Sequence, residues 1–102
     1  MSVRIEQQEG RFVVEGEMTI YNASELKDQL MAHLIQRHDP IALDLSGVTE
    51  IDTAGLQLVL MARRLCAASA RKFVLQDPSA TVRETIMLCG LDQLILSEDA
   101  QS

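Results

Sequence analysis

Residues 40–69, PIALDLSGVTEIDTAGLQLVLMARRLCAAS, place the strongest constraint on the fold. The apolar run at 41–45 is long enough for a buried strand but too short for a helix of normal length. The Ser46-Gly47 dipeptide that follows predicts a turn, so the strand is expected to end there. The residues after Thr53 are mostly good helix formers, and either Asp52 or Thr53 can cap that helix. Thr53 is therefore predicted to lie where a strand leads into a helix N-terminus.

The N-terminal third predicts a hairpin followed by a helix. Residues 3–15 contain two apolar segments around a short polar turn, which is typical of antiparallel strands, and the second strand is expected to end at Gly16. The connection over 17–21 is apolar for a loop. Asn22, with a glutamate three residues later, predicts a helix over about 22–36. Its expected buried stripe consists of Ala23, Leu26, Leu30, Leu34 and Ile35.

The C-terminal third predicts one more strand and one more helix. Residues 72–76 contain an apolar run typical of a buried strand. Asp77, which precedes a proline, is expected to cap a helix that continues to about Cys89. Gly90 is placed to end that helix in the left-handed conformation. Residues 94–96 can add a last short strand.

The order of these elements indicates a single α/β domain over residues 1–102, with a flexible tail at 97–102. Crossovers from strand to helix to strand need parallel neighbours joined in the right-handed sense. The sequence thus predicts a mostly parallel sheet of four to five strands that starts with an antiparallel hairpin and has helices packed against it. Aromatic residues make up 3% of the chain and hydrophobic residues 47%, so the core must be aliphatic.

Charge and composition exclude several classes of partner. The net charge of −6 would repel nucleic acid and anionic lipid, and few aromatic rings are present to stack on bases. No apolar run approaches the length of a membrane span and the N-terminus lacks the apolar core of a signal peptide, so the protein is expected in the cytoplasm. Cys66 and Cys89 are expected to be buried free thiols. His33 and His38 are expected on a helix surface, with no metal or cofactor site.

The hydroxyl of Thr53 allows two interpretations from the residues alone. The first N–H groups of a helix have no partner within the helix and present partial positive charge. A hydroxyl at this point can be only a cap, or it can accept a phosphoryl group that the helix then partly stabilises.

The segments on both sides of Thr53 resemble a known family. Asp44-Leu45-Ser46-Gly47-Val48 and Ile51-Asp52-Thr53-Ala54-Gly55-Leu56 look like the signature of the STAS domain, found in bacterial anti-sigma factor antagonists and in the cytoplasmic tails of sulphate transporters. Shorter matches are Gly16-Glu17-Met18-Thr19, Asp77-Pro78-Ser79 and Cys89-Gly90-Leu91. The resemblance implies that Thr53 is the phosphoacceptor. It also implies a loop-shaping role for Asp44, Ser46, Gly47 and Gly55. The usual acceptor is serine, often followed by a second serine, whereas this chain has Thr53 and Ala54.

The outward side of the helix that follows Thr53 is more apolar than a purely solvated face. Either the last helix or the loop at 18–21 covers Leu56 and Leu60, or this side is a small docking surface with a polar rim. In the family, partners dock at this helix start and the neighbouring loops. The predicted partner-binding residues are therefore Asp52, Ala54, Leu56, Gln57, Leu60, Met61 and Arg64.

Three functional hypotheses follow. The first is a non-catalytic module, similar to an anti-sigma factor antagonist, that binds an anti-sigma factor or an ATPase-type serine/threonine kinase and is released when Thr53 is phosphorylated. The second is a small STAS subunit that binds the ATPase of an ABC-type lipid transport complex, or an adaptor of a chemotaxis or receptor cluster. The third is an enzyme. The sequence disfavours it, because it has no glycine-rich phosphate loop, no paired metal-binding carboxylates and no histidine near Thr53 in the chain. The protein is expected to be a monomer or a weak dimer.

Overall fold

The strands and helices alternate in the order that the sequence predicts. A computed structural model describes residues 3–8, 11–36 and 40–95 of the chain. In chain order the elements are β1 (Val3–Gln8), β2 (Arg11–Met18), α1 (Ala23–Gln36), β3 (Ile41–Ile51), α2 (Thr53–Ala68), β4 (Phe73–Gln76), α3 (Ala80–Leu88) and α4 (Asp92–Ile95). The predicted tail at 97–102 and His38 lie outside the described residues.

The described strands form one mixed sheet in the order β1-β2-β3-β4. β1 and β2 form the predicted antiparallel hairpin, and β2, β3 and β4 run parallel to one another. Both crossovers run in the same direction across the sheet, so right-handed connections place α1 and α2 on the same face. The two helices contact each other there. The α/β architecture with a mostly parallel sheet is confirmed.

The predicted ends of β2 and β3 are wrong, because both strands continue past their expected turns. β3 extends to Ile51 and pairs with β2 as far as Met18. Val13 pairs with Asp44 but Glu15 pairs with Gly47, so β3 carries one extra residue between the two pairs. This is a β-bulge, and it lies at the position of the predicted turn.

The bulge is stabilised by a side chain of its own strand. The Asp44 carboxylate accepts hydrogen bonds from the Ser46 backbone N–H at 3.0 Å and from the Ser46 hydroxyl at 2.8 Å. These bonds satisfy an N–H group at the point where the ladder is irregular. A second irregularity follows Gly16, whose φ of 97° lies in the left-handed region. The turn-forming residues therefore bend a continuous strand instead of ending it.

The core is aliphatic, as predicted, and fills the space between the helices and the sheet. Alternate residues of β3 contribute Ile41, Leu43 and Leu45, which are fully buried. In α1 the buried residues are Leu26, Leu30, His33 and Leu34. Ile35, predicted to be buried, is exposed, and His33, predicted to be on the surface, is buried instead. Position 33 continues the i, i+4, i+7 stripe from Leu26, whereas position 35 turns away from it.

Buried His33 lies between the hairpin and α1. Its Nδ1 atom lies 3.3 Å from the Gln7 side-chain oxygen, and its ring packs at 5.4 Å from the ring of Phe12.

The C-terminal elements differ from the predictions in three respects. Ser79 caps α3, since its hydroxyl accepts from the Val82 N–H at 3.3 Å, while Asp77 adopts a φ of 46° before the helix. Cys89 is exposed, because α3 ends at Leu88, whereas Cys66 is a buried free thiol. Residues 94 and 95 belong to α4, so they do not form a strand.

The left-handed Gly90 at the end of α3, with a φ of 72°, is confirmed. Among the described residues, the helices are too short or too polar to cross a membrane.

Candidate functional site

Thr53 is the first residue of α2 and its side chain is exposed. The preceding residue, Asp52, is the N-cap, in an extended conformation with a φ of −120°. The sequence allowed either residue to be the cap, and the structure assigns that role to Asp52. The Thr53 hydroxyl therefore lies at the surface, at the helix end where unpaired N–H groups give partial positive charge.

The Asp52 carboxylate connects α2 to a different part of the chain. One oxygen accepts from the Gly55 N–H at 3.1 Å, which is the capping bond. The other accepts from the Ile20 N–H at 2.9 Å, in the connection between β2 and α1. Asp52 also donates its own N–H to the Met18 carbonyl at 3.4 Å. The start of α2 and the connection at 19–22 are thus held together by one residue.

Gly55 is required where α2 approaches the end of β2. A Cβ atom at this position would overlap the Met18 carbonyl oxygen and would lie 3.0 Å from the Ile51 side chain. Since the overlapping atom belongs to the backbone, no side-chain rotation could relieve the clash. The missing side chain of Gly55 therefore lets the helix start close to the strand.

The connection between β2 and α1 adds two exposed apolar side chains beside Thr53. Ile20 is 68% exposed and Tyr21 is 77% exposed. The connection is fixed at its end by Asn22, whose side-chain amide donates to the Glu17 carbonyl at 2.8 Å. Sequence reasoning did not include Ile20 and Tyr21 in the site. The available signal was the apolar character of residues 17–21, which is unusual for a loop.

A groove of about 660 Å³ runs between the first half of α1 and the outward side of α2 from Ala54 to Arg64. Five of the predicted partner-binding residues line it, together with Leu58 and three residues of α1. The lining consists of Ala23, Ser24, Lys27, Ala54, Gln57, Leu58, Leu60, Met61 and Arg64. Apolar side chains and two cations, Lys27 and Arg64, therefore meet in one concave surface next to Thr53.

Leu56 does not belong to this surface. It is 4% exposed and forms part of the hydrophobic core, so the structure contradicts its predicted exposure. At 100° per residue, the buried arc of α2 runs from Leu58 through Val59 to Leu56 and spans roughly 160°, so it is wide enough to include Leu56. Leu60 and Met61 are partly buried and remain accessible from the groove.

The other predicted loop-shaping residues lie away from Thr53. Asp44, Ser46 and Gly47 belong to the bulged middle of β3, and Ile51 at the strand end is about 20 Å from Asp44 at the usual rise per residue. Asp44 is 6% exposed and its carboxylate lies 3.7 Å from the Arg11 guanidinium. This group shapes the strand and does not touch the candidate site.

Comparisons with known proteins agree with this architecture. A family model described as Mlab, STAS domain, matches residues 1–97. The structure superposes on the anti-sigma factor antagonist SpoIIAA in its unphosphorylated form, with a TM-score of 0.71, 23% identity, and 97% and 92% of the two chains covered. The Bacillus cell fate determinant SpoIIAA in the phosphorylated form gives a TM-score of 0.67, 22% identity, and coverage of 97% and 96%.

An anti-sigma factor antagonist from Mycobacterium paratuberculosis has the same fold, with a TM-score of 0.68, 24% identity, and 92% and 81% of the two chains covered. Identities at this level establish a shared fold. The family model covers nearly the whole chain, from the hairpin through α4. This protein therefore belongs to the STAS domain family.

Proposed function

We propose that this protein is a non-catalytic, cytoplasmic protein-binding module whose partner is released when Thr53 is phosphorylated. The partner class is an anti-sigma factor or a serine/threonine kinase of the ATPase type. The observation that carries the proposal is the exposed Thr53 hydroxyl at the start of α2, directly beside a groove with apolar and cationic lining. SpoIIAA, which shares the fold, has been solved both with and without phosphate.

The unmodified surface has the composition of a transient interface. Leu60 and Met61 supply apolar contact area within the groove. Ile20 and Tyr21 are exposed on the connection that Asp52, the residue before Thr53, holds through the Ile20 N–H. Gln57 is exposed beside Leu60 and Met61 and can hydrogen-bond at the rim. Small hydrophobic centres with polar rims are typical of protein interfaces that form and dissociate.

A phosphate on Thr53 would change this surface in two ways. It adds about −1.5 to −2 charges and strongly hydrated oxygens at a point where the partner otherwise contacts a neutral hydroxyl. The contact becomes unfavourable where the partner presents carboxylates to this point. In the free protein the same phosphate faces the N-terminus of α2, whose partial positive charge offsets part of the cost. Phosphorylation would therefore destabilise the complex more than the free protein.

Substitutions at Thr53 test this proposal. Thr53→Glu is expected to weaken partner binding at least about tenfold, because it places a carboxylate in the interface. Thr53→Ala is expected to bind like wild type and to incorporate no phosphate when the partner kinase and ATP are added. Calorimetry measures the affinities, and intact-protein mass spectrometry measures the modification.

The matched control is Ala80→Glu. Ala80 is the exposed first residue of α3, after the Ser79 cap, so it has the same helical position as Thr53 in a different helix. This variant should bind the partner normally. Equal affinities of Thr53→Glu and Thr53→Ala, or equal losses for Thr53→Glu and Ala80→Glu, would rule out the switch.

A second candidate is a small subunit that binds the ATPase of an ABC-type lipid transport complex. It is supported by the family model, whose description is Mlab, and by the Thr53-Ala54 pair in place of two serines. In that role binding alone is sufficient and needs no modification. Stable co-purification with a transporter ATPase, with no phosphate on Thr53 after incubation with ATP, would favour the subunit over the switch.

A further inference from the structure

Positive charge is concentrated in one part of this acidic protein. The chain has a net charge of −6, yet four of its nine lysines and arginines lie between residues 63 and 72. The sequence contains no aspartate or glutamate from Thr53 to Gln76. This segment comprises α2, the following turn and β4. It therefore carries a net positive charge, whereas the net charge of the whole protein is negative.

Three of these cations surround a single pocket. The pocket has a volume of about 230 Å³ and is lined by Arg63, Ala67, Arg71, Lys72 and Phe73. No carboxylate is among the lining residues that the structure describes. Arg63 follows Thr53 by ten residues, about 15 Å along the axis of α2. The described linings of this pocket and of the groove beside Thr53 share no residue.

Arg71 is held in place by its own hydrogen bonds. One terminal nitrogen donates to the Leu34 carbonyl near the end of α1 at 2.6 Å, and Nε donates to the Ser69 hydroxyl at 2.9 Å. Both of these acceptors are neutral oxygens, and they hold the guanidinium in one orientation, so little reorganisation is needed for it to attract an anion. It therefore provides a positioned positive charge at one side of the pocket.

Arg63 provides a hydrogen-bond donor that the fold leaves unused. Its Nε atom is buried and has no hydrogen-bond partner within the described residues. Burying a donor without an acceptor costs free energy, so a movement of the Arg63 side chain that exposes Nε to a bound anion would be favourable. The negative end of the α2 dipole explains why cations gather near this helix end, but it does not explain a buried donor with no acceptor.

We propose that this pocket binds a small phosphate-bearing molecule. Three cations match the −1.5 to −2 charges of a phosphate monoester better than those of a single carboxylate. Arginine forks fit phosphate oxygens with paired hydrogen bonds, and Lys72 adds a mobile point charge. Ala67 and Phe73 offer an apolar wall for the carbon part of the ligand.

Nuclear magnetic resonance titration of the full-length protein tests the proposal. Inorganic phosphate and phenyl phosphate serve as probes, and sodium chloride keeps the ionic strength constant because surface electrostatics are screened by salt. Saturable shifts are expected at the backbone amides of Arg63, Ala67, Lys72 and Phe73. Phenyl phosphate should bind more tightly than inorganic phosphate because its ring can contact the apolar wall.

Two variants separate this site from general attraction to positive charge. Arg63→Gln should weaken phenyl phosphate binding about tenfold, because it removes a charge-assisted hydrogen bond. Arg64→Gln removes the same charge from the next residue, which lines the other groove, and should leave the affinity unchanged. Lys72→Gln should weaken binding and provides a second test on the opposite side of the pocket.

Equal effects of Arg63→Gln and Arg64→Gln would overturn the proposal. Shifts that grow linearly and spread over Lys27, Arg64 and Arg83 would do the same. Circular dichroism and thermal unfolding of each variant establish that the fold is intact.

Discussion

The carbonyl group of Met18 explains why residue 55 is a glycine. α2 starts so close to β2 that a side chain at residue 55 would occupy the space of this carbonyl oxygen. Asp52 donates its N–H to the same oxygen. The Met18 carbonyl oxygen therefore determines both how close the start of α2 lies to β2 and the direction in which the helix begins.

Gly55→Ala is expected to lower the free energy of unfolding by about 1–3 kcal/mol, because a backbone clash must be relieved by moving the helix. Gly47→Ala is the control. There the closest atom to the new Cβ would be Glu15 Cγ at 2.7 Å, which a side-chain rotation can move, while Glu15 Cβ at 3.2 Å and Cα at 3.5 Å do not overlap it, so the loss should stay below about 1 kcal/mol. Urea unfolding of the two variants measures the difference, and equal losses would contradict the role assigned to Met18.

The two cysteines are expected to react very differently with iodoacetamide. Burial raises the pKa of the Cys66 thiol above its ordinary value of 9.0, and nearby Arg71 offsets only part of this effect. Cys66 should therefore remain unmodified in the folded protein, while exposed Cys89 is labelled. Mass spectrometry of wild type should show one label, and Cys89→Ser should show none until the protein is unfolded.

The same shift in pKa has a consequence for stability at alkaline pH. The folded state favours the neutral thiol, so the stabilising contribution of Cys66 is complete below pH 9.0 and is lost as the pH rises through the raised pKa. Rapid labelling of Cys66 near neutral pH would show that the thiol is accessible and would contradict both expectations.

At the scale of elements, the connection at 19–22 and the start of α2 form one unit because the Asp52 carboxylate accepts hydrogen bonds from both. Sequence patterns showed that Asp52 could be a cap. They could not show the second bond, since Ile20 is 32 residues away in the chain. Contacts between distant segments depend on how the crossover places them, and local sequence carries no signal for that.

Asp52→Asn tests this double role. The Gly55 and Ile20 N–H groups bond to separate oxygens of Asp52, so in asparagine one of these donors would face the amide NH2 group, which cannot accept. Stability should fall by about 1 kcal/mol, and the Ile20 amide should exchange with solvent faster. Ser79→Asn is the control, because Ser79 has one capping bond to Val82 that asparagine can replace. Unchanged exchange at Ile20 in Asp52→Asn would mean that the bond is unimportant.

Sequence reasoning succeeded where periodicity and capping residues determine the structure. The hairpin, α1, α2 and the glycine end of α3 follow from such local patterns. It failed where partner strands decide the outcome: Ser46-Gly47 has the composition of a turn, but pairing with β2 keeps these residues in a bulged strand. It also failed for His33 and Leu56, because polarity and a narrow helical stripe were poor guides to burial.

For the Thr53 site, the sequence pointed to the hydroxyl, to a cap at either Asp52 or Thr53, and to most of the α2 residues that line the groove. It did not identify the contribution of α1 or of Ile20 and Tyr21. These residues join the site only because α1 lies beside α2 on the same face of the sheet.

At the scale of the whole molecule, the two faces of the sheet differ in how much they contribute to the free energy of folding. The face toward the helices carries the aliphatic core, whereas the other face carries charged side chains such as Arg4 and Glu15, which are paired across β1 and β2 at 3.9 Å. Arg4 is 73% exposed, so water and salt screen this ion pair. Val13 and Asp44 are buried on this second face, but most of the buried apolar side chains lie on the helix side, so that side should contribute most of the free energy of folding.

Leu43→Ala, which removes a fully buried side chain of β3, is expected to cost about 2–5 kcal/mol. Arg4→Gln should change stability by less than about 0.5 kcal/mol. Chemical denaturation of both variants compares the two faces directly. A large loss in Arg4→Gln would show that the charged face contributes more than its exposure suggests.

Tyr21, on the exposed connection beside Thr53, is the only tyrosine of a chain that has no tryptophan. Its intrinsic fluorescence is therefore an optical signal from this part of the molecule, and the unlabelled protein needs no attached dye. Any partner without tyrosine or tryptophan that covers this surface should shield the phenol from a soluble quencher such as iodide.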